Sequence, residues 1–259
     1  MPFTLSHPAI ILPLKKWKPE WFSVTGLVFG SMTPDFEYFM AFSGSYDFGH
    51  TLPGIVLFDL PLAFCLSALY HLLIRNPLLS HLPAPFDKRF SGFMGFNFYK
   101  YLRKHWLAFT ASTLIGIASH FIWDKLGYPD GYLGIYNLAP AIFEQTYTAL
   151  GGKQPLYVLL EHIGSAIGLV ALLWVLFKIN EPAGTYVSPT TISKIAYWFL
   201  LSVGTTMIFM KEQNTNPHEW FDSIPHRLVV GLSAGTVAII AVSLLFQLIT
   251  RRNRVEKSS

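Results

Sequence analysis

The sequence predicts an all-α fold: a polytopic helical membrane protein with about five transmembrane helices and a short or re-entrant helix near its N-terminus. Three observations carry that prediction. Of 259 residues, 52% are apolar and only 13% charged, whereas a soluble domain runs nearer a quarter charged. The apolar residues are gathered into five blocks, residues 52–74, 106–123, 156–179, 192–210 and 228–249, each close to the roughly 20 residues a helix needs to cross a hydrocarbon core. The basic residues flank those blocks or, as with Lys178 and Lys194, stand near their ends.

Taken in order, the N-terminal stretch has no basic residue before its short apolar run, so no removable signal peptide is expected. Residues 21–42 are apolar but interrupted by Pro34, Asp35 and Glu37. Charge of that kind is costly against lipid, which favours a short, half-buried or re-entrant helix lining a protein cavity. The first span carries Asp59 and the single cysteine, Cys65, read as a buried apolar filler. One cysteine allows no intramolecular disulfide and no thiolate zinc cluster. Residues 76–104 combine Pro77, Pro83 and Pro85 with a basic, Phe-rich stretch, as expected of a loop and an amphipathic helix on the headgroups.

The second span ends near His120 and Asp124, and residues 127–155, rich in Gly, Pro and Tyr, read as an irregular cap. Glu161 and His162 stand near the start of the third span. The fifth is free of charge, and its Gly231 and Gly235 form a small-xxx-small pair suited to close helix contact. With no internal repeat, the simplest organisation is one helical membrane domain over 1–259. It comprises an N-terminal metal-site segment (1–50), a transmembrane bundle (52–250) and a basic tail (251–259).

Five spans put the chain ends on opposite sides. The tail, the 75–104 connection, Lys178 and Lys194 fall on one face and hold twelve of the nineteen Lys and Arg. The positive-inside rule makes that face cytoplasmic and, with it, the C-terminus. Membrane orientation thus explains the net charge of +4, and no nucleic-acid partner is expected; the membrane lipid is.

The same topology sorts the titratable residues. His120 and Asp124 are four apart, so both project from one helix face and can bind one ion. On the same, non-cytoplasmic side fall His7, Asp35, His50, Glu161 and His162. Imidazole and carboxylate suit zinc, and a catalytic zinc keeps a position open for water. His7, Asp35, His50, His120, Asp124 and His162 would supply the ligands of one or two ions. Glu161 or Asp59 would orient groups or accept a proton. Each residue also has a plainer reading: Asp35 as a helix cap, His7 as a turn residue, His50 at the interface, His120 as a hydrogen-bonded bundle histidine. A competing set, His218, Asp222 and His226, has similar spacing but is flanked by Pro217 and Pro225. His71, His81 and His105 lie toward the cytoplasmic side as snorkelling or packing residues. Trp123, Tyr128, Tyr132 and Tyr136 would line an interfacial mouth or anchor the chain in the membrane belt.

The order Ser6-His7-Pro8-Ala9, Gly30-Ser31-Met32-Thr33-Pro34-Asp35-Phe36-Glu37-Tyr38-Phe39, His50-Thr51-Leu52-Pro53-Gly54 and Ser119-His120-Phe121-Ile122-Trp123-Asp124 resembles the bacterial membrane family called domain of unknown function 4184. It is also similar to predicted membrane-bound metal-dependent hydrolases and, more distantly, to zinc-dependent phospholipase C. That resemblance implies zinc ligands at His7, Asp35, His50, His120 and Asp124, with His162 a further one, and attack of activated water on a lipid phosphodiester or other ester. The chain departs from the phospholipases in being membrane-embedded. It also has no acid at residue 166 to close a His-x-x-x-Glu motif from His162. The resemblance implies a bacterial inner-membrane protein with zinc as cofactor and a lipid or phosphoester substrate.

Overall fold

The computed structural model describes residues 3–18, 20–43, 48–127, 139–149, 152–215 and 224–256. Nearly all of it is helix. Short helices α1 (Pro8–Trp17), α2 (Val24–Gly30) and α3 (Phe36–Ala41) precede a long α4 over Leu52–Ser80. After α5 (Phe86–Phe90) come α6 (Phe98–Gly127), α7 (Pro140–Phe143), a hairpin of β1 (Thr146–Ala149) and β2 (Gly152–Pro155), α8 (Leu156–Lys178), α9 (Thr191–Thr215) and α10 (Ile224–Glu256). Five of these helices are long and apolar enough to cross a membrane: α4, α6, α8, α9 and α10. Residues 21–42 form no long helix. Their helical runs stop at Gly30 and restart through a 3₁₀ turn at Thr33–Asp35, because Pro34 has no N–H to continue the ladder. The 139–155 part of the expected irregular cap is instead a short helix and an antiparallel hairpin pairing Thr146 with Pro155 and Ala149 with Gly152.

The exposed side chains explain why this is a membrane protein. In α8 the buried residue is Gly168 and in α9 it is Tyr197. Ile163, Ile167, Val170, Leu173, Trp174 and Phe177 of α8 all face outward. So much exposed apolar surface is an aggregation hazard in water, while in a bilayer lipid tails are its solvent. Cys65 is also exposed, which corrects its reading as a buried filler. Hydropathy marks a span but does not distinguish its lipid face from its packed face.

Two compact units divide the chain. One comprises Met1–Phe36, Asp47–Cys65 and Leu102–Lys178, the other Glu37–Tyr46, Leu66–Tyr101 and Ile179–Ser259. In the second, α9 and α10 pack together around Tyr197, Val242 and Phe246. The Tyr197 hydroxyl meets Ser243 Oγ at 3.1 Å, and the His81 ring stacks on Tyr197. The glycine pair of α10 contributes less than its spacing promised. Among the described residues, a Cβ at Gly231 would meet nothing within 4 Å, and one at Gly235 would touch only Thr205 Oγ1 at 4.0 Å.

Close backbone contact is found in the first unit instead. A Cβ at Gly26 would lie 2.7 Å from the Phe109 carbonyl oxygen, and one at Gly30 2.2 Å from that of Thr113. One at Gly116 would lie 2.5 Å from the Leu27 carbonyl oxygen. Gly26 and Gly30 are themselves a small-xxx-small pair, facing Ser112 and Gly116, so α2 and α6 cross at backbone contact. Ser23 fixes the start of α2. Its hydroxyl accepts from Gly26 N–H at 3.2 Å, and its own N–H donates to Ser112 Oγ at 2.8 Å.

The first unit also holds an N-terminal 3₁₀ turn, Thr4–Ser6, against α8. Phe3 N–H donates to Ser165 Oγ at 2.8 Å, and a Cβ at Gly168 would lie 2.9 Å from Ser6 Cβ. In α4, residues Ile55–Asp59 form a wide π turn just ahead of Pro61. A proline ring clashes with the carbonyl four residues before it, and a widened turn is one way a helix accommodates that.

Candidate metal centre

The α2–α6 crossing delivers the site. Ser31 follows the last glycine of α2, and His120 lies one helical turn beyond Gly116. Their contact is a hydrogen bond of 3.0 Å between His120 Nδ1 and the Ser31 carbonyl oxygen. A carbonyl can only accept, so Nδ1 carries the proton and Nε2 is left to face the interior. Asp124, one turn on, faces the same way, with Oδ2 3.2 Å from His120 Nε2.

Two further segments close on this pair. The 3₁₀ turn at Thr33–Asp35 brings Asp35 Oδ1 to 3.5 Å from His120 Nε2 and 3.6 Å from His50 Nε2. His50 Nε2 stands 3.3 Å from His120 Nε2 and 3.7 Å from Asp124 Oδ2. Gly49 lets the His50 segment approach. A Cβ there would lie 2.8 Å from the Pro34 carbonyl oxygen and 3.1 Å from Asp59 Oδ1. The two ligand-bearing segments are thereby seated against each other and against Asp59, which is fully buried.

Asp35, His50, His120 and Asp124 thus offer four ligand atoms within 4.8 Å of one another. Five of the six separations, given above, run from 3.2 to 3.7 Å. A tetrahedral ion with bonds of about 2.0–2.2 Å needs its ligand atoms about 3.3–3.6 Å apart. The charges point the same way. Among the described residues, the ion-pair partners of both carboxylates are histidines. Two imidazole nitrogens 3.3 Å apart cannot both carry protons without repulsion, whereas one dication would satisfy both nitrogens and both carboxylates at once. Asp35 Oδ1 and Asp124 Oδ1 are buried and take no hydrogen bond among the described residues, as suits oxygens reserved for a cation or its outer partners. The group could hold a metal ion.

Not every expected ligand joins it. His7 is fully buried beside the group, its ring stacked on His120 at 4.1 Å and its Nε2 3.6 Å from Asp124 Oδ1. His7 therefore meets the outer oxygen of a carboxylate whose other oxygen is in the group. His162 is exposed, with Nδ1 hydrogen-bonded to the Val158 carbonyl at 2.7 Å, and the structure does not bring it into the four. The reason is helical phase. Glu161, Ser165 and Gly168 share the face of α8 that packs on the N-terminal turn, and His162 is rotated about 100° away. In the competing set His226 begins a span, while His218 and Asp222 lie outside the described residues, as do Tyr128, Tyr132 and Tyr136.

Sequence reasoning missed the residues that hold the ligands. Thr4 Oγ1 donates to Asp35 Oδ2 at 2.5 Å. Its only sequence signal is its place three residues before His7. Ser31 acts through its backbone and leaves no signal in its side chain. The glycine pair at 26 and 30 has the same small-xxx-small spacing as Gly231 and Gly235, but sequence reasoning singles out only the latter pair.

Against known proteins, the model of a family described as domain of unknown function (DUF4184) matches residues 1–244. Neither the curated proteins nor the solved structures contain a match.

Proposed function

The chain belongs to the DUF4184 family, and on that premise we propose that it is an integral-membrane, zinc-dependent hydrolase acting on a phosphoester or other ester at the membrane–water interface. The observation that carries this reading is the spacing of the four ligand atoms of Asp35, His50, His120 and Asp124. Zinc held by such a group would have to take water as a further ligand beside the four residues, and would then lower the pKa of that water and polarise the scissile oxygen.

The chain's own residues have distinct tasks in this reading. His120 and Asp35, both fully buried, form the dry wall of the site. His50 and Asp124 keep 19% and 11% of their side chains exposed, so substrate enters past them. The Ser31 carbonyl holds the His120 tautomer, and such outer partners set ligand orientation and basicity. His7 steadies Asp124 through its outer oxygen. Glu161, on the face of α8 that meets the N-terminal turn, is the candidate proton acceptor. Asp59, against Gly49, is the candidate orienting group for the His50 segment. With His162 exposed, the reading uses one ion. By the positive-inside rule the site faces away from the cytoplasm of a bacterial inner membrane, with the C-terminus cytoplasmic and lipid as the membrane partner.

Elemental analysis of purified protein beside His120→Ala and Asp124→Ala tests the site: zinc should co-purify with the wild type and be lost from both variants. A metal-free wild type overturns it. Hydrolysis of chromogenic phosphate esters or labelled phospholipids, abolished by a chelator and restored by zinc, tests the enzyme. Bound metal with no hydrolysis of any ester class would favour a non-enzymatic membrane protein that handles lipids or ions or serves as a scaffold.

A further inference from the structure

Resting on the metal-centre reading, we propose that Thr4 is a positioning residue for Asp35, its hydroxyl fixing which carboxylate oxygen enters the four-residue group and so setting the affinity for the ion. A carboxylate offers two equivalent oxygens and turns freely unless one is held. Thr4 Oγ1 donates its single proton to Asp35 Oδ2 at 2.5 Å. Oδ1 is thereby left facing His120 and His50 at 3.5 and 3.6 Å. Thr4 is 7% exposed and Asp35 fully buried, so no bulk water competes for Oδ2.

The hydroxyl is itself well anchored. Thr4 opens the 3₁₀ turn Thr4–Ser6, and its carbonyl accepts the N–H of His7 at 3.3 Å. One turn therefore carries both the Asp35 partner and the histidine stacked on His120. That turn is tied to α8 from both sides. Ser165 Oγ accepts from Phe3 N–H and donates to the Glu161 carbonyl at 2.7 Å, while Ser6 sits in the notch at Gly168. A continuous path of contacts runs from α8 through Thr4 to the ligand oxygen.

A plain packing role for Thr4 would depend on its methyl group, and the positioning role depends on its hydroxyl. The two are separated by measuring zinc affinity of the detergent-solubilised full chain against a chromogenic chelator, in wild type, Thr4→Val, Thr4→Ala and Thr4→Ser. Thr4→Val and Thr4→Ala should weaken zinc binding by about tenfold to a hundredfold, the range for losing an outer hydrogen-bond partner of a ligand. Thr4→Ser should keep wild-type affinity. The visible spectrum of the cobalt-loaded protein should change in the two hydroxyl-free variants and not in Thr4→Ser. If Thr4→Val does not fold, the alanine and serine variants give the same ordering. Wild-type affinity in a hydroxyl-free variant, or a loss in Thr4→Ser as large as in Thr4→Ala, overturns the role of Thr4. A wild type that binds no zinc overturns the metal centre itself.

Discussion

Gly30 and Thr113 meet backbone to backbone: a Cβ on Gly30 would lie 2.2 Å from the Thr113 carbonyl oxygen. Ser31, next after Gly30, and His120, two helical turns after Thr113, carry this contact on into the site. Ser31 lends its carbonyl to His120, so the fit of α2 against α6 sets the orientation of a central ligand.

Gly30→Ala should therefore destabilise the fold and the site together. The clash is with backbone, which has no rotamer to yield. The expected loss is at least the roughly 1–3 kcal/mol of an overpacked core, read as a lower midpoint of thermal unfolding in detergent, with metal affinity falling in parallel. Gly231→Ala, where a Cβ meets nothing among the described residues, should lower neither.

The four-residue group predicts a pattern of metal loss. Asp35→Ala, His50→Ala, His120→Ala and Asp124→Ala should each weaken metal binding more than about tenfold, since removing even an outer partner of a ligand costs that much. His162→Ala should retain wild-type metal content, because that side chain is exposed and bonded to its own helix. Elemental analysis of the five variants checks the pattern, and metal loss in His162→Ala would break it.

How far the sequence foretold this arrangement depends on the kind of information each feature needs. The five spans follow from local composition, and composition was enough to find them. His120 and Asp124 share a face because four residues make about one turn, which is also local. Glu161 and His162 are adjacent, and choosing which of them faces inward requires knowing the phase of α8 against the N-terminal turn. Both were therefore retained from sequence, and the structure separates them. The active glycine pair lies in a seven-residue helix, too short to draw attention beside the clean fifth span. Thr4 and Ser31 act through one hydroxyl and one carbonyl, and neither leaves a pattern in the chain.

Glu161 gives a prediction of a different kind. In the proposed reaction it accepts a proton and does not bind the ion. Glu161→Gln should lower turnover by about a hundredfold, within the usual range for a general base, while zinc content stays at the wild-type level. Equal loss of zinc and activity in this variant would make Glu161 a ligand or a structural residue instead.

Asp87 supplies a pH dependence away from the site. Burial alone would raise its carboxyl, but hydrogen bonds from the Lys194 ammonium at 2.6 Å and the Ser188 hydroxyl at 2.5 Å, with the Lys88 N–H, outweigh it and hold the group below the ordinary carboxylate range. The folded value lies below the unfolded one of about 3.9. The stabilisation is therefore fully present above that pH and is lost as pH falls through the folded value. Asp87→Asn should cost about 1–3 kcal/mol at neutral pH, between the values for exposed and fully buried pairs. It should also flatten the acid limb of the stability profile below about pH 4. Thermal unfolding of both proteins from pH 7 to pH 3 checks this, and parallel acid limbs would show that the pair contributes nothing to stability.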